Sequence, residues 1–535
     1  MKKSMIFAML AFAFASCQQN GGSDLPKGEI EQSYVAISLA SADMDARATS
    51  ETEEAFDEGT TEERAVKSAY VFFYKDGAYF PVNSAANAAG GADDKNYLPI
   101  ALDENGVEQT PATNVSDIKN KVLVLNNYKG EYPNQVVAVL NFDPESVADI
   151  HKKTIYELQE TLVALGNDAN GYVMTNSVYA DATGEVVGTP LTSANIATSV
   201  EKASENPVTI YVERIAAKVV VNADIDNGLE DNVYKLNEGK INSVGEQVYA
   251  KILGWEVVNY TESYLYKDIN AAWTDDELKI AGWNDKGNYR SYWATTQAAT
   301  LPTVVLGDAA DNGVNDLKAK YTGENTNTTG ANVAKVVIKA QLKYEDGSVC
   351  EIAKWFGWEY AGVNALKIAV INNIASTYYY KEGETYTTIG TDDIVTVSGG
   401  EEGEPAKAYE VYFQLSSAGT AKTWYVRTTG GEFAAVADMN AELAKIQPAL
   451  LYKDGLTYYH TPIVHRNSAA YGIVNGVVRN HVYQINIKSI AGYGTPIATG
   501  NLSVSPETPV EVSSYVSAEI KVLSWKTVEY DVDLK

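Results

Sequence analysis

Short stretches in which apolar and polar side chains alternate recur along this chain, and they constrain its fold more than any other feature. In the segment SYVAISL, Val35, Ile37 and Leu39 share one face, because successive side chains of a strand point to opposite sides. The chain also contains 36 Tyr residues and many Val and Ile, which favour strands. The pattern predicts an all-β fold.

Turn signals indicate where these strands reverse. An Asp-Gly pair suits a tight hairpin turn, because Gly accepts the positive φ that such turns require. Three pairs predict hairpins, at Asp76-Gly77, Asp346-Gly347 and Asp454-Gly455. The nearly continuous apolar runs Lys121–Asn126 and Gln135–Phe142 predict central strands that are covered on both faces.

Helical signals are few. The clearest helix is expected to begin at Asp143, to have Pro144 in its first turn, and to continue up to Gly166. A weaker pattern predicts a second helix near Val436–Ile446. Together with the strands, these segments predict β-sandwiches with a few helical insertions.

A change of phase inside VTIYVERIAAKVVV predicts a domain boundary. The apolar set moves from Val208, Ile210 and Val212 to Ile215, Ala217, Val219 and Val221. Such a shift changes which strand face is buried, so we expect one strand to leave a first sandwich and enter a second; a β-bulge within one strand is the alternative. The predicted domains are 48–213 and 214–495. The Pro-containing segment Gly494–Ser514 predicts a linker, so 496–535 forms a linker and C-terminal tail.

The N-terminus predicts an exported lipoprotein. Lys2 and Lys3 precede the apolar run Met5–Ala15, which is too short for a permanent membrane span and is typical of a removable signal. Small residues directly before Cys17 predict cleavage at that point. Residues 1–16 are then the signal peptide, and Cys17 carries a lipid such as palmitate. An ordinary secretion signal with an incidental cysteine is the alternative.

Charge and cysteine content exclude several classes of partner. The formal net charge is −28, which argues against nucleic acid and against adsorption to an anionic membrane, because both require clustered Lys and Arg. The lipid on Cys17 is then the one expected membrane anchor. Cys350 is the other cysteine of the chain, so no internal disulfide is expected, and a buried apolar role is predicted for it.

Catalytic and metal-binding motifs are weak or missing. The four histidines, none of them in an HExxH pattern, are His151, His460, His465 and His481. Asp224–Gly228 resembles an EF-hand loop, but its Gly comes one position early, so an acidic turn is expected and calcium is the alternative. No GxSxG, P-loop or GxGxxG motif occurs. The sequence predicts no enzyme, no metal site and no cofactor.

The two ends of the chain form a complementary pair. Arg47 and Ala48 follow the first strand and precede an acidic stretch up to Glu63, which should be mobile and open to proteases. Two apolar stripes mark the other end, namely Val516, Ala518, Ile520 and Val522, then Val528, Tyr530, Val532 and Leu534. Loss of the first strand would leave an unpaired edge, which a neighbour's tail could fill to build filaments. Alternatively, both ends pair within their own sandwich.

The same segments resemble the fimbrillin family of type V pili, and in particular its minor-fimbrillin (Mfa-type) shaft subunits. The resemblance is carried by FASC, SYVAISL, VVAVLN, VMTNSVY, VERIAAKVVV, VVRNHVYQINIKSI and AEIKVLSWKTVEYDVDL, which are spread over the chain. It implies two tandem transthyretin-like β-sandwich domains, lipid on Cys17, and transport to the cell surface as an outer-membrane lipoprotein precursor.

The resemblance also implies a route of assembly. An Arg-specific, trypsin-like protease is expected to cut between Arg47 and Ala48, with Arg64-Ala65 as the second choice. This cut removes the propeptide 17–47 together with the first strand. The vacated groove would then accept the donor strand of an adjacent subunit, with the residues Val528, Tyr530, Val532 and Leu534.

We therefore expect a structural shaft subunit of a surface fimbria that polymerises by donor-strand exchange and supports adhesion. Its partners would be further copies of itself, other fimbrial subunits, the protease, and a host or bacterial surface ligand. One alternative is a non-polymerising or tip adhesin that binds a glycan or a host protein. Aromatic runs such as Tyr378-Tyr379-Tyr380 could stack on sugars, but strand faces or subunit contacts are the favoured interpretation. The other alternative is a secreted enzyme that acts on polysaccharide.

Overall fold

The computed structural model describes residues 30–41, 56–57, 59–82, 95–100, 102, 118–128, 130–177, 188–223, 228–230, 232–241, 243, 245–258, 263–266, 304–305, 319–325, 333–399, 409–468, 472–497, 503–504 and 515–525. About half of the described residues lie in strands, and the helices of these residues have 4 to 13 residues each. This architecture confirms the all-β class with a few helical insertions.

The strands up to the predicted domain boundary are β1 (Ile30–Ser41), β2 (Phe56–Asp57), β3 (Ala69–Lys75), β4 (Ala78–Tyr79), β5 (Tyr97–Pro99), β6 (Lys121–Tyr128), β7 (Gln135–Leu140), β8 (Leu162–Val163), β9 (Gly166–Asn167), β10 (Gly171–Tyr172), β11 (Met174–Asn176), β12 (Thr189–Pro190) and β13 (Val208–Arg214).

The following strands are β14 (Ala217–Ala223), β15 (Gly228–Glu230), β16 (Val233–Lys240), β17 (Gln247–Val258), β18 (Ser263–Tyr264), β19 (Val304–Val305), β20 (Lys320–Thr322), β21 (Lys335–Lys343), β22 (Ile352–Trp355), β23 (Trp358–Ala361), β24 (Tyr378–Glu382), β25 (Thr385–Thr388), β26 (Ile394–Ser398), β27 (Glu410–Leu415), β28 (Trp424–Arg427), β29 (Phe433–Ala435), β30 (Ala449–Tyr452), β31 (Leu456–Pro462), β32 (Val464–Ser468), β33 (Gly472–Asn475), β34 (His481–Ala491), β35 (Thr495–Pro496), β36 (Ser503–Val504) and β37 (Tyr515–Trp525).

The helices are α1 (Thr61–Arg64), α2 (Pro144–Ile150), α3 (Ile155–Gln159), α4 (Val200–Glu205), α5 (Gly362–Ile374), α6 (Ser417–Thr420) and α7 (Met439–Leu443), and 3-10 turns occur at Thr391–Asp393 and Lys453–Gly455.

The first sheet places β1 in its interior. Its strand order is β4-β3-β7-β11-β13-β1-β6, with β5 paired to β3 and β12 paired to β7. One set of side chains from β3 and β7 packs with β1 and β13 into a common core. The alternate set packs against α2 and α3. Because side chains of a strand alternate between faces, β3 and β7 are covered on both sides, as predicted for Gln135–Phe142.

Two further sheets pack together around the second core. One has the order β2-β37-β34-β14-β20, and the other has the order β15-β16-β17-β21-β31-β35. Val219 of β14 and Ile485 of β34 meet Val248 of β17 and Ile338 of β21 in one buried cluster. The arrangement is a β-sandwich, in which the inner faces of two sheets interdigitate.

The two units share a topology that no short sequence repeat indicates. In the first unit, β1 is parallel to β13 and antiparallel to β6. In the second unit, β14 is parallel to β34 and antiparallel to β20. The opening strand of each unit therefore lies between a parallel and an antiparallel neighbour. In the second unit this strand is joined to β13 by the covalent chain, whereas in the first unit it is the N-terminal strand of the described residues.

The phase change noted in the sequence coincides with passage between sheets. β13 belongs to the first sheet and β14 to the sheet that contains β34. Ile215 packs with the α2 and α3 core, and Ala217 packs in the second core. The domain limits 48–213 and 214–495 stay predictions.

A module that is not predicted from the sequence is inserted between two neighbouring strands of the second sandwich. β21 and β31 pair directly, with Ile338 opposite Tyr459. The intervening chain forms the sheets β23-β22-β30-β27-β26 and β25-β24-β28-β29 together with α5. These elements enclose their own core, which includes Leu366, Phe413 and Trp424.

Some local predictions are confirmed. The Asp76-Gly77 turn joins β3 to β4. The Asp346-Gly347 turn brings Lys343 opposite Val349. The weaker helix is present as α7.

The helix predicted from Asp143 to Gly166 is wrong in its length. It is divided into α2 and α3, because Lys152 adopts a left-handed φ of 67° and Thr154 starts a new helix with a capping box to Glu157. Leu162 then belongs to strand β8. Two N-cap signals in one apolar pattern therefore specify two short helices.

Three further expectations need correction. Asp454-Gly455 does not close a hairpin, because β30 pairs within the inserted module whereas β31 pairs with β21. The Lys121–Asn126 run is an edge strand rather than a central one, and Val124 is 38% exposed. The segment predicted as a linker begins inside a sheet, since β35 pairs with β31 and Ile497 is buried.

Candidate functional site

The position of β1 between two strands is the feature on which the sequence hypothesis depends. Residues Ile30 to Ile37 pair antiparallel with Tyr128 to Lys121 of β6. Residues Ile37 to Ser41 pair parallel with Val208 to Val212 of β13. The slot of β1, defined by β6 and β13, would therefore have two unpaired edges if β1 were absent.

The apolar face of β1 fills the first core. Val35 and Ile37 are 0% exposed and Leu39 is 2% exposed, and they pack with Leu125 and Ile210 of the flanking strands. Burial of each such side chain stabilises by about 1.5–3 kcal/mol. The three predicted residues are thus brought together as a single apolar stripe.

Hydrogen bonds outside the two ladders also hold β1. The backbone groups of Tyr34 and Ala197 exchange two hydrogen bonds of 2.9 Å. The Leu39 N–H donates to the Ile118 carbonyl over 2.8 Å, and the Asn120 N–H donates to the Ser38 hydroxyl over 3.0 Å. In this structure β1 is an integral strand of the first sheet and not a loosely attached peptide.

A compact junction follows β1 in the sequence. Thr60 caps α1, and its hydroxyl accepts from the Glu63 N–H over 3.2 Å while the Glu63 carboxylate accepts from the Thr60 N–H over 2.7 Å. This reciprocal pair is a capping box. It fixes a four-residue helix, which would not be stable by itself, so the tertiary contacts of the helix decide whether it forms.

Glu63 supplies those contacts. Its side chain is 1% exposed, and the Oε1 atom lies 3.1 Å from Nζ of Lys218 on β14. The Tyr321 hydroxyl of β20 donates to the same carboxylate. In addition, Nε of the fully buried Arg214 donates to the Glu63 carbonyl over 2.9 Å. One residue of α1 therefore connects the end of the first sheet with the second sandwich.

The environment of Tyr321 reflects this cluster. Burial, followed by the hydrogen bond to the Glu63 carboxylate, raises the pKa of Tyr321 well above its usual range. Its ring packs on Tyr172 with 4.4 Å between ring centroids. The phenol therefore stays protonated as a donor to Glu63 throughout the physiological range.

Asn141 holds the residues directly after α1. Its Nδ2 donates to the carbonyls of Ala65 and Tyr172 over 2.8 Å each, and its Oδ1 accepts from the Lys67 N–H over 2.7 Å. Ala65 and Val66 are 2% and 1% exposed. The backbone from Thr60 to Lys67 is consequently fixed at both ends.

The short strand β2 and the last described strand, β37, meet at one sheet edge. Phe56 and Asp57 of β2 pair parallel with Ser524 and Trp525 of β37. β37 also pairs antiparallel with β34 along its length. The first apolar stripe of the tail, Val516, Ala518, Ile520 and Val522, thus belongs to a strand of its own sheet.

The structure locates only part of the predicted site. Val35, Ile37 and Leu39 lie in the core, and Arg64 is the last residue of α1. Cys17, Arg47, Ala48 and the donor residues Val528, Tyr530, Val532 and Leu534 lie outside the described residues. The roles of all of these residues stay predictions.

The buried charges of the junction are not predicted from the sequence. Lys218 lies inside the otherwise apolar run IAAKVVV, and Arg214 directly precedes this run. A Lys inside a strand that is otherwise buried indicates a buried acidic partner, because unpaired buried charges are costly. That signal could have identified a carboxylate partner, although not Glu63 in particular.

Cys350 is confirmed as a buried residue. It is 0% exposed and packs in the second core. Burial raises the pKa of its thiol to about 11, so the thiol is protonated at neutral pH and is a weak nucleophile.

The histidines and carboxylates do not assemble into a metal centre in the described part of the chain, where no group of three or more potential ligands occurs. His465 and His481 are neighbours, with ring centroids 5.4 Å apart. His465 Nδ1 lies 2.9 Å from the Tyr483 hydroxyl, and His481 Nδ1 lies 2.8 Å from the Arg479 carbonyl. Both rings thus have local structural partners. The EF-hand-like segment Asp224–Gly228 falls mostly outside the described residues.

Among the described residues, none of the helices has the length and hydrophobicity that a membrane crossing requires.

Comparison with known proteins identifies the C-terminal part of the chain. Residues 450–531 match the family of the major fimbrial subunit protein type IV, fimbrillin, C-terminal region. The match covers β31, β34 and β37, which build one edge of the second sandwich. No curated protein matches the sequence.

Several solved structures are similar over most of the chain at low identity. A proposed cell adhesion protein from Parabacteroides distasonis has 12% identity and a TM-score of 0.37, and the alignment covers 93% of this chain and 98% of that chain. A proposed cell adhesion protein from Bacteroides eggerthii has 12% identity and a TM-score of 0.35, with coverage of 94% and 98%. The tip fimbrial protein Mfa3 from Porphyromonas gingivalis, with C-terminal truncation, has 11% identity and a TM-score of 0.32, with coverage of 92% and 100%.

At these scores the structural likeness adds no argument about function, and the assignment depends on the family match. By that match, residues 450–531 are similar to the C-terminal region of fimbrillin, a major fimbrial subunit protein.

Proposed function

We propose that this chain is the shaft subunit of a surface fimbria and that it polymerises by donor-strand exchange after proteolytic removal of β1. One observation carries the proposal. β1 is paired on both edges and supplies part of the first core, yet it is followed by the segment that contains Arg47. A cut in that segment would detach an interior strand without any threading of the chain.

The energetic consequence of losing β1 favours its replacement. Departure of Val35, Ile37 and Leu39 would uncover apolar surface that contributes roughly 5–9 kcal/mol, before ordering costs. It would also leave unpaired backbone groups on β6 and β13, which attract another strand. The alternating residues Val528, Tyr530, Val532 and Leu534 of a neighbour have the pattern needed to refill such a slot.

The position of β37 suits donation by the residues beyond it. β37 ends at Trp525, and ten more residues, 526–535, follow in the sequence. Extended, they would reach on the order of 33 Å. The tail could therefore enter a neighbouring subunit while β37 stays paired with β34. Since each subunit donates at one end and accepts at the other, the contact does not close and filaments result.

The remaining sequence predictions fit the same route. The precursor would be an outer-membrane lipoprotein anchored through lipid on Cys17. An Arg-specific, trypsin-like protease would cut between Arg47 and Ala48 and free the subunit from its anchor. The mature subunit would then consist of the domains 48–213 and 214–495 and the tail 496–535.

The proposal is tested with the purified precursor and trypsin. Limited digestion should produce a ladder of oligomers, as seen by gel electrophoresis without boiling and by electron microscopy. Arg47→Ala should abolish the ladder, whereas deletion of residues 528–535 should permit cleavage and still abolish the ladder. A normal ladder from the digested, tail-deleted chain would refute the proposal.

A second candidate function, adhesion to a surface ligand, is favoured by one feature of the inserted module. Phe356 and Trp358 form the tip of the β22–β23 hairpin and are 59% and 61% exposed. Exposed aromatic side chains of this kind are typical of contact surfaces. Replacement of both residues by Ser should reduce attachment of assembled fimbriae to host or bacterial cells. Unchanged attachment, with unchanged assembly, would remove this tip from consideration.

A further inference from the structure

Two Arg-Ala bonds lie in the segment that joins β1 to β3 along the chain, and both would be substrates of the same protease. Arg47-Ala48 and Arg64-Ala65 are both Arg-Ala bonds, so the residues at the cleavage point do not distinguish them. Between Ile30 and Lys67, Arg47 and Arg64 are the two basic residues. The surroundings of each bond must therefore decide where processing ends.

The backbone around Arg64 is unsuited to proteolysis. A protease binds an extended peptide, so a cleavable bond must lie in accessible and weakly bonded backbone. The Arg64 N–H donates to the Thr60 carbonyl over 3.1 Å, and the Ala65 N–H donates to the Glu62 carbonyl over 3.3 Å. Nε of Arg64 turns back to the Thr60 carbonyl over 3.3 Å, and Ala65 is buried.

Glu63 makes this conformation costly to open. If the chain were extended across Arg64, the Glu63 carboxylate would have to leave Lys218 and Tyr321. The Glu63 carbonyl would also have to leave Arg214. Lys218 is 8% exposed and would be left buried without this partner. Loss of one member of a buried ion pair is strongly unfavourable.

We infer that the buried Glu63 junction ends N-terminal processing at Arg47, because it protects the Arg64-Ala65 bond of the folded chain. This inference rests on the proposed function, which includes cleavage in this segment. The mature subunit then keeps residues 48–64. It retains β2, which pairs with β37, and Glu63, which links the first sheet to the second sandwich.

A cut at Arg64 would have the opposite effect. It would separate β2 and all four residues of α1 from the rest of the chain and leave only noncovalent contacts to hold them. The edge of β37 would then lack its covalently attached neighbour. Protection of Arg64 therefore preserves the sheet edge from which the proposed donor tail extends.

The test is limited digestion of the full precursor with an arginine-specific endoprotease, followed by mass spectrometry of the new N-termini. The wild-type chain should begin at Ala48, with cleavage at Arg64 at least tenfold slower. Glu63→Gln and, separately, Thr60→Ala should each raise the rate of cleavage at Arg64 by at least tenfold. Glu62→Ala, an exposed acid one residue away, is the matched control and should have little effect.

Thr60→Ala changes an exposed cap and leaves the buried cluster in place, so it remains informative if Glu63→Gln fails to fold. Comparable cleavage of the wild-type chain at both arginines would overturn the inference, as would unchanged protection in both variants. Oligomers are scored in the same digests. If the Ala48 product forms but does not oligomerise, the proposed function is wrong, whereas the inference that the Glu63 junction protects the Arg64-Ala65 bond is still supported.

Discussion

Arg479 and Glu324 form a buried ion pair, with 2.7 Å between Nη2 and Oε2, and the Arg479 side chain is 0% exposed. Nη2 also donates to the Tyr264 carbonyl over 2.8 Å. Tyr264 lies on β18, and β18 pairs with β8. The guanidinium thus secures a strand that crosses from the second sandwich to the α3 side of the first unit.

Arg479→Met is predicted to destabilise the protein by about 3–5 kcal/mol, because it leaves the Glu324 carboxylate buried without its partner. Urea denaturation followed by circular dichroism measures the loss. Lys445→Met is the matched control, since Lys445 and Glu442 form an ion pair of 2.7 Å in which Lys445 is 68% exposed. This exposed pair should contribute less than about 1 kcal/mol. Equal effects of the two variants would contradict the prediction.

Phe356→Asn is predicted to stabilise the protein. Phe356 has a φ of 48°, a left-handed conformation that costs bulky residues about 1–2 kcal/mol and that Asn tolerates. Most other non-glycine residues with positive φ in the described chain are Asn or Asp. A melting temperature higher by a few degrees is expected by differential scanning calorimetry.

The reciprocal control for that prediction is Asp454→Phe. Asp454 has a φ of 54° and is exposed, so the substitution introduces the same strain and should lower the melting temperature. A lower melting temperature for Phe356→Asn would mean that the contact of Phe356 with Trp355, whose ring centroid is 4.8 Å away, outweighs the backbone strain.

Cys350 is predicted to be unreactive in the native protein at neutral pH. The folded-state pKa is raised to about 11 from the usual 9, so the stabilising effect of the protonated thiol is complete below pH 9 and is lost between pH 9 and 11. Ellman's reagent should label the native thiol at pH 8 very slowly and the urea-unfolded thiol rapidly. The free energy of unfolding of the Cys350→Ala variant should therefore fall less between pH 9 and 11 than that of the wild type. Rapid native labelling at pH 8 would show that the thiol is accessible.

Strands are predicted best where the two-residue alternation of apolar and polar side chains is enough to identify them. Val35, Ile37 and Leu39 alternate strictly, and the structure confirms their strand and their common buried face. The phase change after Val212 likewise coincides with the passage between sheets. In both cases, neighbouring residues contain the whole signal.

The sequence fails where distant residues decide the structure. Asp454-Gly455 has the residue types of a hairpin turn, but the strands on either side of it do not pair with each other. Instead, β30 pairs with β22 and β31 pairs with β21, and both partners lie about a hundred residues earlier in the chain. From the sequence, Glu63 is predicted to be one more exposed acid of a solvated stretch. It is buried because it contacts Lys218 and Arg214, which lie about 150 residues later in the chain. The inserted module is hidden for the same reason, since its own strands resemble those of the sandwich it interrupts.

The inserted module is predicted to be dispensable for the fold of the second sandwich. The chain enters and leaves it on adjacent antiparallel strands, with Ala353 opposite Leu451, so an Asn-Gly turn can join these two residues. Ile352 and Tyr452, which belong to the second core, stay in place. The shortened chain should give a cooperative melting transition and the same trypsin-induced ladder. Loss of folding would show that the core around Phe413 supports the sandwich.

The proposed exchange of β1 makes two residues of one core behave differently after processing. Ile37 of β1 and Ile210 of β13 are both 0% exposed and pack in the same cluster. Replacement of either by Ala should destabilise the precursor by about 2–5 kcal/mol in urea denaturation. After processing, Ile37 has departed with β1 whereas Ile210 still lines the slot. Filaments from the Ile37→Ala chain should therefore resist denaturant as wild-type filaments do. Filaments from the Ile210→Ala chain should dissociate at a lower denaturant concentration than wild-type filaments. Equal weakening of both filaments would mean that β1 stays in its own subunit.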